Sequence, residues 1–198
     1  RRRDTMPQME EPHLGLTAAT IALVALLYSS VGHAGASGYI AAMTLLGFAA
    51  PTIRPTALLL NVLVAMIGAV QFGRAGYFSW RLFWPFAVLS VPAAFLGGYV
   101  KLPTNVFKML VGVVLLLSAV RLLIKPGDPP TTRFPPKPLA VTAGGLIGLL
   151  SGLTGTGGGI FLTPLMLFAR WAHTKQAAAV SVVFILLNSV AGITGYVT

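Results

Sequence analysis

The chain has no cysteine, which excludes disulfides and thiol chemistry. It has four acidic residues, Asp4, Glu10, Glu11 and Asp128, against fourteen basic ones. None of the four falls in the apolar stretches 14–124 or 139–198. Carboxylates inside a membrane are the usual cation ligands and proton relays. Their absence argues against a cation carrier and leaves anions, neutral solutes or no transport at all. No nucleophile–base pair and no cluster with metal-ligand spacing appears in the sequence, and His13 and His173 lie outside the apolar runs and are expected to lack carboxylate neighbours. Neither catalysis nor a cofactor is expected.

What is present is apolar. Hydrophobic residues make up 56% of 198 and charged ones 9%, against roughly 25% charged in a soluble domain. No soluble fold of this size hides so much apolar surface, so the chain reads as an all-α integral membrane protein whose main partner is the lipid bilayer. The net charge of +10 comes from Lys and Arg placed singly at the ends of apolar runs. That is membrane-flanking charge and not the basic face that nucleic acid requires.

The organisation follows from span length, about 20 apolar residues per crossing. Residues 1–13 form a polar tail, 14–124 a first transmembrane repeat, 125–138 a linker, and 139–198 a second, shorter repeat. Apolar segments fall at 14–31, 38–50, 56–73, 82–100, 104–124, 139–151, 160–169 and 176–197. The linker KPGDPPTTRFPPKP holds six of fourteen prolines and reads as extended. Two helices of the first repeat have no counterpart after 198, so the chain reads as truncated at its C-terminus. The tail and the first apolar run also resemble a secretory signal, but a mid-chain copy of the same pattern cannot be one.

That pattern is a glycine-broken apolar segment that occurs twice. The first copy, VALLYSSVGHAGASGYIAAMTLLGF, carries Gly32, Gly35 and Gly38, with His33 and Ser37 among them. The second, LIGLLSGLTGTGGGIFLTPLMLF, carries Gly155, Thr156, Gly157, Gly158 and Gly159. Gly38 aligns with Gly159, and Ala65, Gly68 and Phe72 align with Ser189, Gly192 and Tyr196. As one straight helix, residues 15–50 would run about 54 Å, well beyond a ~30 Å hydrocarbon core. A re-entrant pair of half-helices fits better than a kinked crossing. One hairpin plus three spans per repeat makes the second repeat inverted, and a kinked crossing would make it parallel. In the hairpin arrangement Arg54, Lys101 and Lys108 share one side of the membrane, and Arg74, Arg81, Arg121, Lys125, Arg133, Lys137, Arg170 and Lys175 share the other.

The string GTGGG-x-x-x-x-P from Gly155 to Pro164, its degenerate GHAGASG copy, Gln71-Phe72-x-x-x-Gly76 and Leu187-Asn188-Ser189-x-x-Gly192 resemble the TauE/SafE family of sulfite-exporter-like permeases. The resemblance covers nearly all of 15–198. It implies a multi-pass protein of the bacterial cytoplasmic membrane, two homologous halves, and transport of sulfite, sulfonates or related organic anions.

The chemistry of the breaks agrees with an anionic substrate. A helix N-terminus carries about half a positive charge and unsatisfied N–H groups, and it binds anions without a charged side chain. Half-helices starting near Gly38 and Gly159 point such ends at the breaks, and Ser37 and Thr156 are expected to add hydroxyl donors. His33 is the one titratable group in a break, suited to sensing or carrying a proton. Asn61, Gln71, Asn188 and Ser189 lie in otherwise apolar helices, as path-lining groups or as interhelical hydrogen-bonding partners. The expected function is alternating access around an anion site at the two breaks, in a possible homo-oligomer. The competing readings are an anion channel and a non-transporting assembly subunit whose glycines serve helix packing.

Overall fold

The computed structural model describes residues 12–30, 35–123 and 128–198, which form eight helices and no strand. These are α1 (Pro12–Ser30), α2 (Ala36–Leu45), α3 (Ala50–Arg74), α4 (Trp80–Tyr99), α5 (Thr104–Leu123), α6 (Lys137–Thr154), α7 (Gly159–Phe168) and α8 (Thr174–Val197). Among the described residues, four stretches are long and apolar enough to cross a membrane: Pro51–Arg74, Trp80–Tyr99, Lys137–Thr154 and Thr174–Val197. α2 and α7 have ten residues each, about 15 Å of helix, half a bilayer core.

Boundaries differ from the sequence expectation where local backbone chemistry intervenes. α2 stops at Leu45, not 50, because Gly47 turns the chain with φ 79° and Pro51 then opens α3. Proline suits the first helical turn, where its missing N–H has no partner to lose. α6 runs three residues past the expected 151 and stops at Gly155, whose φ is 82°.

The centre of the molecule is a block of α4, α6 and α8. A stripe of small residues on α6, Gly144, Gly148 and Gly152, lies against Phe86, Ser90 and Ala94 of α4 in the same order, so the two helices run parallel. A Cβ on Gly148 would stand 2.6 Å from the Ser90 Cα, and one on Gly152 would stand 2.8 Å from the Gly98 amide nitrogen. α8 joins the same contact: Gly98 meets the Gly192 backbone, and Gly195 meets Phe95 and Tyr99 of α4. This is close helix contact through small residues, as membranes favour.

All three helices start at the same end of the block, here termed the near face. Leu82 and Phe83 of α4, Ala140 of α6 and Ala177 of α8 share one buried cluster with Trp171, and the Trp171 ring lies 6.0 Å from Phe86. α3 runs the other way along α8. Tyr196 Oη donates to the Pro51 carbonyl at 2.9 Å, Leu58 faces Gly192, and Gly68 faces Val182. The far face therefore carries the start of α3 and the ends of α4 and α8.

The described part of the linker lies along the near face. The Arg133 amide donates to the Arg170 carbonyl at 2.9 Å, and the Arg81 guanidinium sits 4.4 Å from the centre of the Phe134 ring. Asp128 caps α8, accepting from the Thr174 amide at 2.7 Å and from its hydroxyl at 2.9 Å. Those bonds, helped by nearby His173, hold the Asp128 carboxyl below its ordinary range.

Candidate functional site

The turn between α6 and α7 is where polar groups gather inside the apolar block. Three of its four residues, Gly155, Gly157 and Gly158, have φ of 82°, 72° and 83°. That left-handed backbone costs an L-residue with a Cβ roughly 1–2 kcal/mol per position, which is why the string is glycine. Gly158 is the N-cap of α7 and offers no side chain to it. The first amides of α7 thus face the turn with the positive end of the helix behind them.

Asn61 of α3, Ser151 of α6 and Ser189 of α8 border this turn. A Cβ on Gly157 would lie 2.9 Å from Asn61 Nδ2 and 3.1 Å from Ser189 Oγ, and one on Gly158 would lie 3.4 Å from the Ser151 Cβ. Asn61 Nδ2 makes a long bond of 3.4 Å to the Gly155 carbonyl. Next to Ser189, Asn188 accepts at Oδ1 from Ser90 Oγ of α4 at 2.8 Å. All five side chains are fully buried. Yet Asn61 Oδ1, Ser151 Oγ, Asn188 Nδ2 and Ser189 Oγ have no protein hydrogen-bonding partner. Leaving a buried polar group unmatched costs about 1–3 kcal/mol, so three at one turn, with a fourth next to Ser189 on α8, need a reason.

Thr156 does not supply the free hydroxyl the sequence suggested. Thr154 Oγ1 donates its one proton to the Leu150 carbonyl at 2.7 Å, and its oxygen lies 3.0 Å from Thr156 Oγ1. Thr156 must then be the donor of that pair, which commits its proton. Gly159 is buried, and a Cβ there would meet Ile185 Cγ1 at 2.6 Å. Gln71 stands apart from this group: it is exposed, ten positions past Asn61 and toward the near end of α3.

The first break is described only from Gly35 onward; Gly32 and His33 lie outside the described residues. Gly35 is the N-cap of α2, with φ 84° and no side-chain cap. Ser37 is buried in the first turn of α2 and Gly38 is half-buried. α3 is the wall between the two breaks. Its Ile53 and Ala57 pack with Tyr39, Ile40 and Met43 of α2, while Asn61 reaches the second turn.

Sequence reasoning missed Ser90 and Ser151, single hydroxyls that look like filler in apolar helices, and it missed Arg54. Arg54 was counted with the flanking charge, yet it is 4% exposed and the one buried charged side chain among the described residues. Its guanidinium donates to the carbonyls of Gly97, Gly98 and Val100 at the end of α4. The available signal was its distance from any acidic residue, combined with an apolar run that begins only two residues later.

Comparison with known proteins supplies a lineage for this arrangement. The family model described as sulfite exporter TauE/SafE matches residues 17–198. A probable membrane transporter protein of Sinorhizobium fredii is 45% identical over 192 residues, covering 94% of this chain and 77% of that protein. A probable membrane transporter protein of Methanocaldococcus jannaschii is 25% identical over 147 residues, covering 72% of this chain and 55% of that protein. No solved structure matches the chain.

Proposed function

The chain belongs to the sulfite exporter TauE/SafE family of membrane transporters, and from that premise we propose that it is a permease for small anions such as sulfite, sulfonates or related organic anions. The observation that carries this reading is the set of buried, unmatched polar atoms of Asn61, Ser151 and Ser189 at the turn before the uncapped N-terminus of α7, with Asn188 Nδ2 next to Ser189 on α8. Asn188 Nδ2, Ser151 Oγ and Ser189 Oγ are neutral donors, and with the helix amides they suit an oxyanion. The reading assigns no catalysis and no cofactor to the chain.

The mechanism is alternating access around this turn, with the first break as its counterpart. The support for an inverted repeat is geometric. The N-caps Gly35 and Gly158 share φ of 84° and 83°, each followed by a ten-residue helix. Both helices end alike. Leu46 donates to Ala42 and Phe48 to Met43, as Ala169 does to Leu165 and Trp171 to Met166, and positive φ falls at Gly47 and Arg170. These positions correspond at a constant spacing, and it pairs Gly35, not Gly38, with the second turn. α3 and α8 then correspond and run antiparallel, as inversion requires. α6 and α8 both leave the near face, so α7 brings the chain back to the face where α6 began. That supports a re-entrant hairpin over a kinked crossing.

Described basic residues number seven toward the near face, Arg74, Arg81, Arg121, Arg133, Lys137, Arg170 and Lys175, against three toward the far face, Arg54, Lys101 and Lys108. The positive-inside rule then makes the near face cytoplasmic, in a bacterial inner membrane.

The test is flux of radiolabelled sulfite and of a taurine-like sulfonate into liposomes carrying the protein. Wild type is expected to show saturable flux. Ser189→Ala removes an unmatched hydroxyl, so it should fold at least as stably while flux falls about tenfold, one donor's worth at roughly 1.4 kcal/mol per decade. Non-saturable flux would favour a channel. No anion flux from folded protein would refute the permease reading for these anions.

A further inference from the structure

Neither glycine break contains a lysine or an arginine. We propose that Arg54 supplies the positive charge of the anion site, as the residue that makes the second break selective for anions over neutral solutes; the inference rests on the permease reading above.

Arg54 lies on the same face of α3 as Leu58 and Asn61, at helical spacings of four and seven residues. Leu58 faces Gly192 and Asn61 reaches Gly155. The Arg54 stem touches the same turn from the far-face side. A Cβ on Gly155 would lie 3.1 Å from the Arg54 carbonyl oxygen and 3.3 Å from its Cγ. Gly155 is thus held between Asn61 and Arg54, and the glycine turn and the cation form one unit.

The guanidinium has partners but no counter-ion. Nη1 donates to the Val100 carbonyl at 2.9 Å and Nη2 to the Gly98 carbonyl at 2.7 Å, with Gly97 also accepting from Nη2. The Tyr196 ring centre lies 5.3 Å from Cζ. These are partial charges, and the end of α4 contributes about half an elementary negative charge. No carboxylate lies in the surrounding helices, since the sequence has none between residues 12 and 127 or after 128. Nε is buried and has no hydrogen-bonding partner. A buried charge left partly uncompensated is costly, and inside a membrane such groups mark substrate paths. An anion approaching Gly155 from the far face would meet a fixed, desolvated cation with one free N–H, and then the neutral donors around Gly157.

The competing explanation is that Arg54 only fastens α3 to the end of α4. Two variants separate the roles. Arg54→Lys keeps the charge and loses the planar fork. Arg54→Gln keeps hydrogen-bonding capacity and loses the charge. Reconstituted protein is assayed for sulfite flux, and detergent-solubilised protein for thermal stabilisation by sulfite and by methanesulfonate, with the neutral dimethyl sulfone as control. If Arg54 supplies the charge, Arg54→Gln raises the KM for sulfite at least tenfold and abolishes stabilisation by the anions, whereas Arg54→Lys shifts KM only a few-fold. Folded Arg54→Gln with an unchanged KM and unchanged anion stabilisation overturns the inference and leaves the permease reading intact. Wild type that shows no flux, yet is stabilised by anions in an Arg54-dependent way, upholds the anion site and refutes transport of sulfite. Neither flux nor stabilisation in wild type overturns both.

Discussion

Two sets of glycines lie end to end between residues 144 and 159, and they are glycine for different reasons. Gly144, Gly148 and Gly152 have ordinary helical backbone and no room for a Cβ, because another helix's backbone occupies that space. Gly155, Gly157 and Gly158 have left-handed backbone, and side chains surround the last two. The first set is a packing device, and the second shapes a turn lined by unmatched polar groups. Glycine content alone does not distinguish them; a regular spacing of four identifies the first, and irregular clustering identifies the second.

Substitutions should separate the sets. The largest effect is expected for Gly148→Leu, whose side chain would enter the α4 backbone: overpacking costs about 1–3 kcal/mol and occasionally more, and here the neighbour is backbone that cannot yield. Loss of the monodisperse peak in detergent is expected, and a folded, active Gly148→Leu would contradict the packing role. Gly158→Ala comes next. Left-handed strain costs roughly 1–2 kcal/mol, so folded protein should be recovered with a lower melting temperature, while anion flux falls more steeply than yield. If flux and yield fall together, the two sets are functionally alike.

Arg170 sharpens the comparison from the opposite direction. It is the one positive-φ residue other than glycine among those described, with φ 57°, and it follows α7 as Gly47 follows α2. Arg170→Gly should stabilise the protein by about 1 kcal/mol through release of that strain, read as a rise in melting temperature. The smallest effect belongs to Asp128, outside both sets. Its folded carboxyl titrates below the unfolded one, so its stabilisation is present above the ordinary carboxylate range and is lost as pH falls through the depressed value. Asp128→Asn should lower the melting temperature slightly at pH 7, with the difference disappearing in acid and flux unchanged.

Much of this was legible in the sequence. Hydropathy and span length gave the helical membrane class, and proline and glycine punctuation gave most helix limits within a few residues. The glycine strings led to the family and to the turn, which Asn61 and Ser189 border. Arg54 was hidden because a single Arg near the end of an apolar run usually reaches the interface, and only tertiary contact shows the α4 carbonyls receiving it. The pairing of the Thr156 hydroxyl with Thr154, two residues away, is a local contact that residue type alone does not show. The shared left-handed φ of Gly35 and Gly158 is a backbone property, which identity-based alignment does not see.

The contact between α4 and α6 also has a consequence for how the molecule is assembled. In a bilayer each helix must close its own hydrogen bonds before it meets another, so the backbone entropy that glycine forfeits is lost at that earlier step. When the helices then come together, Gly144, Gly148 and Gly152 have no rotamers to freeze, whereas Leu or Met contacts would lose side-chain freedom. Docking along this seam is therefore cheap in conformational entropy. Amides of α4 and α6 should be the slowest in the protein to exchange hydrogen, and those of α1 and α2 should exchange first.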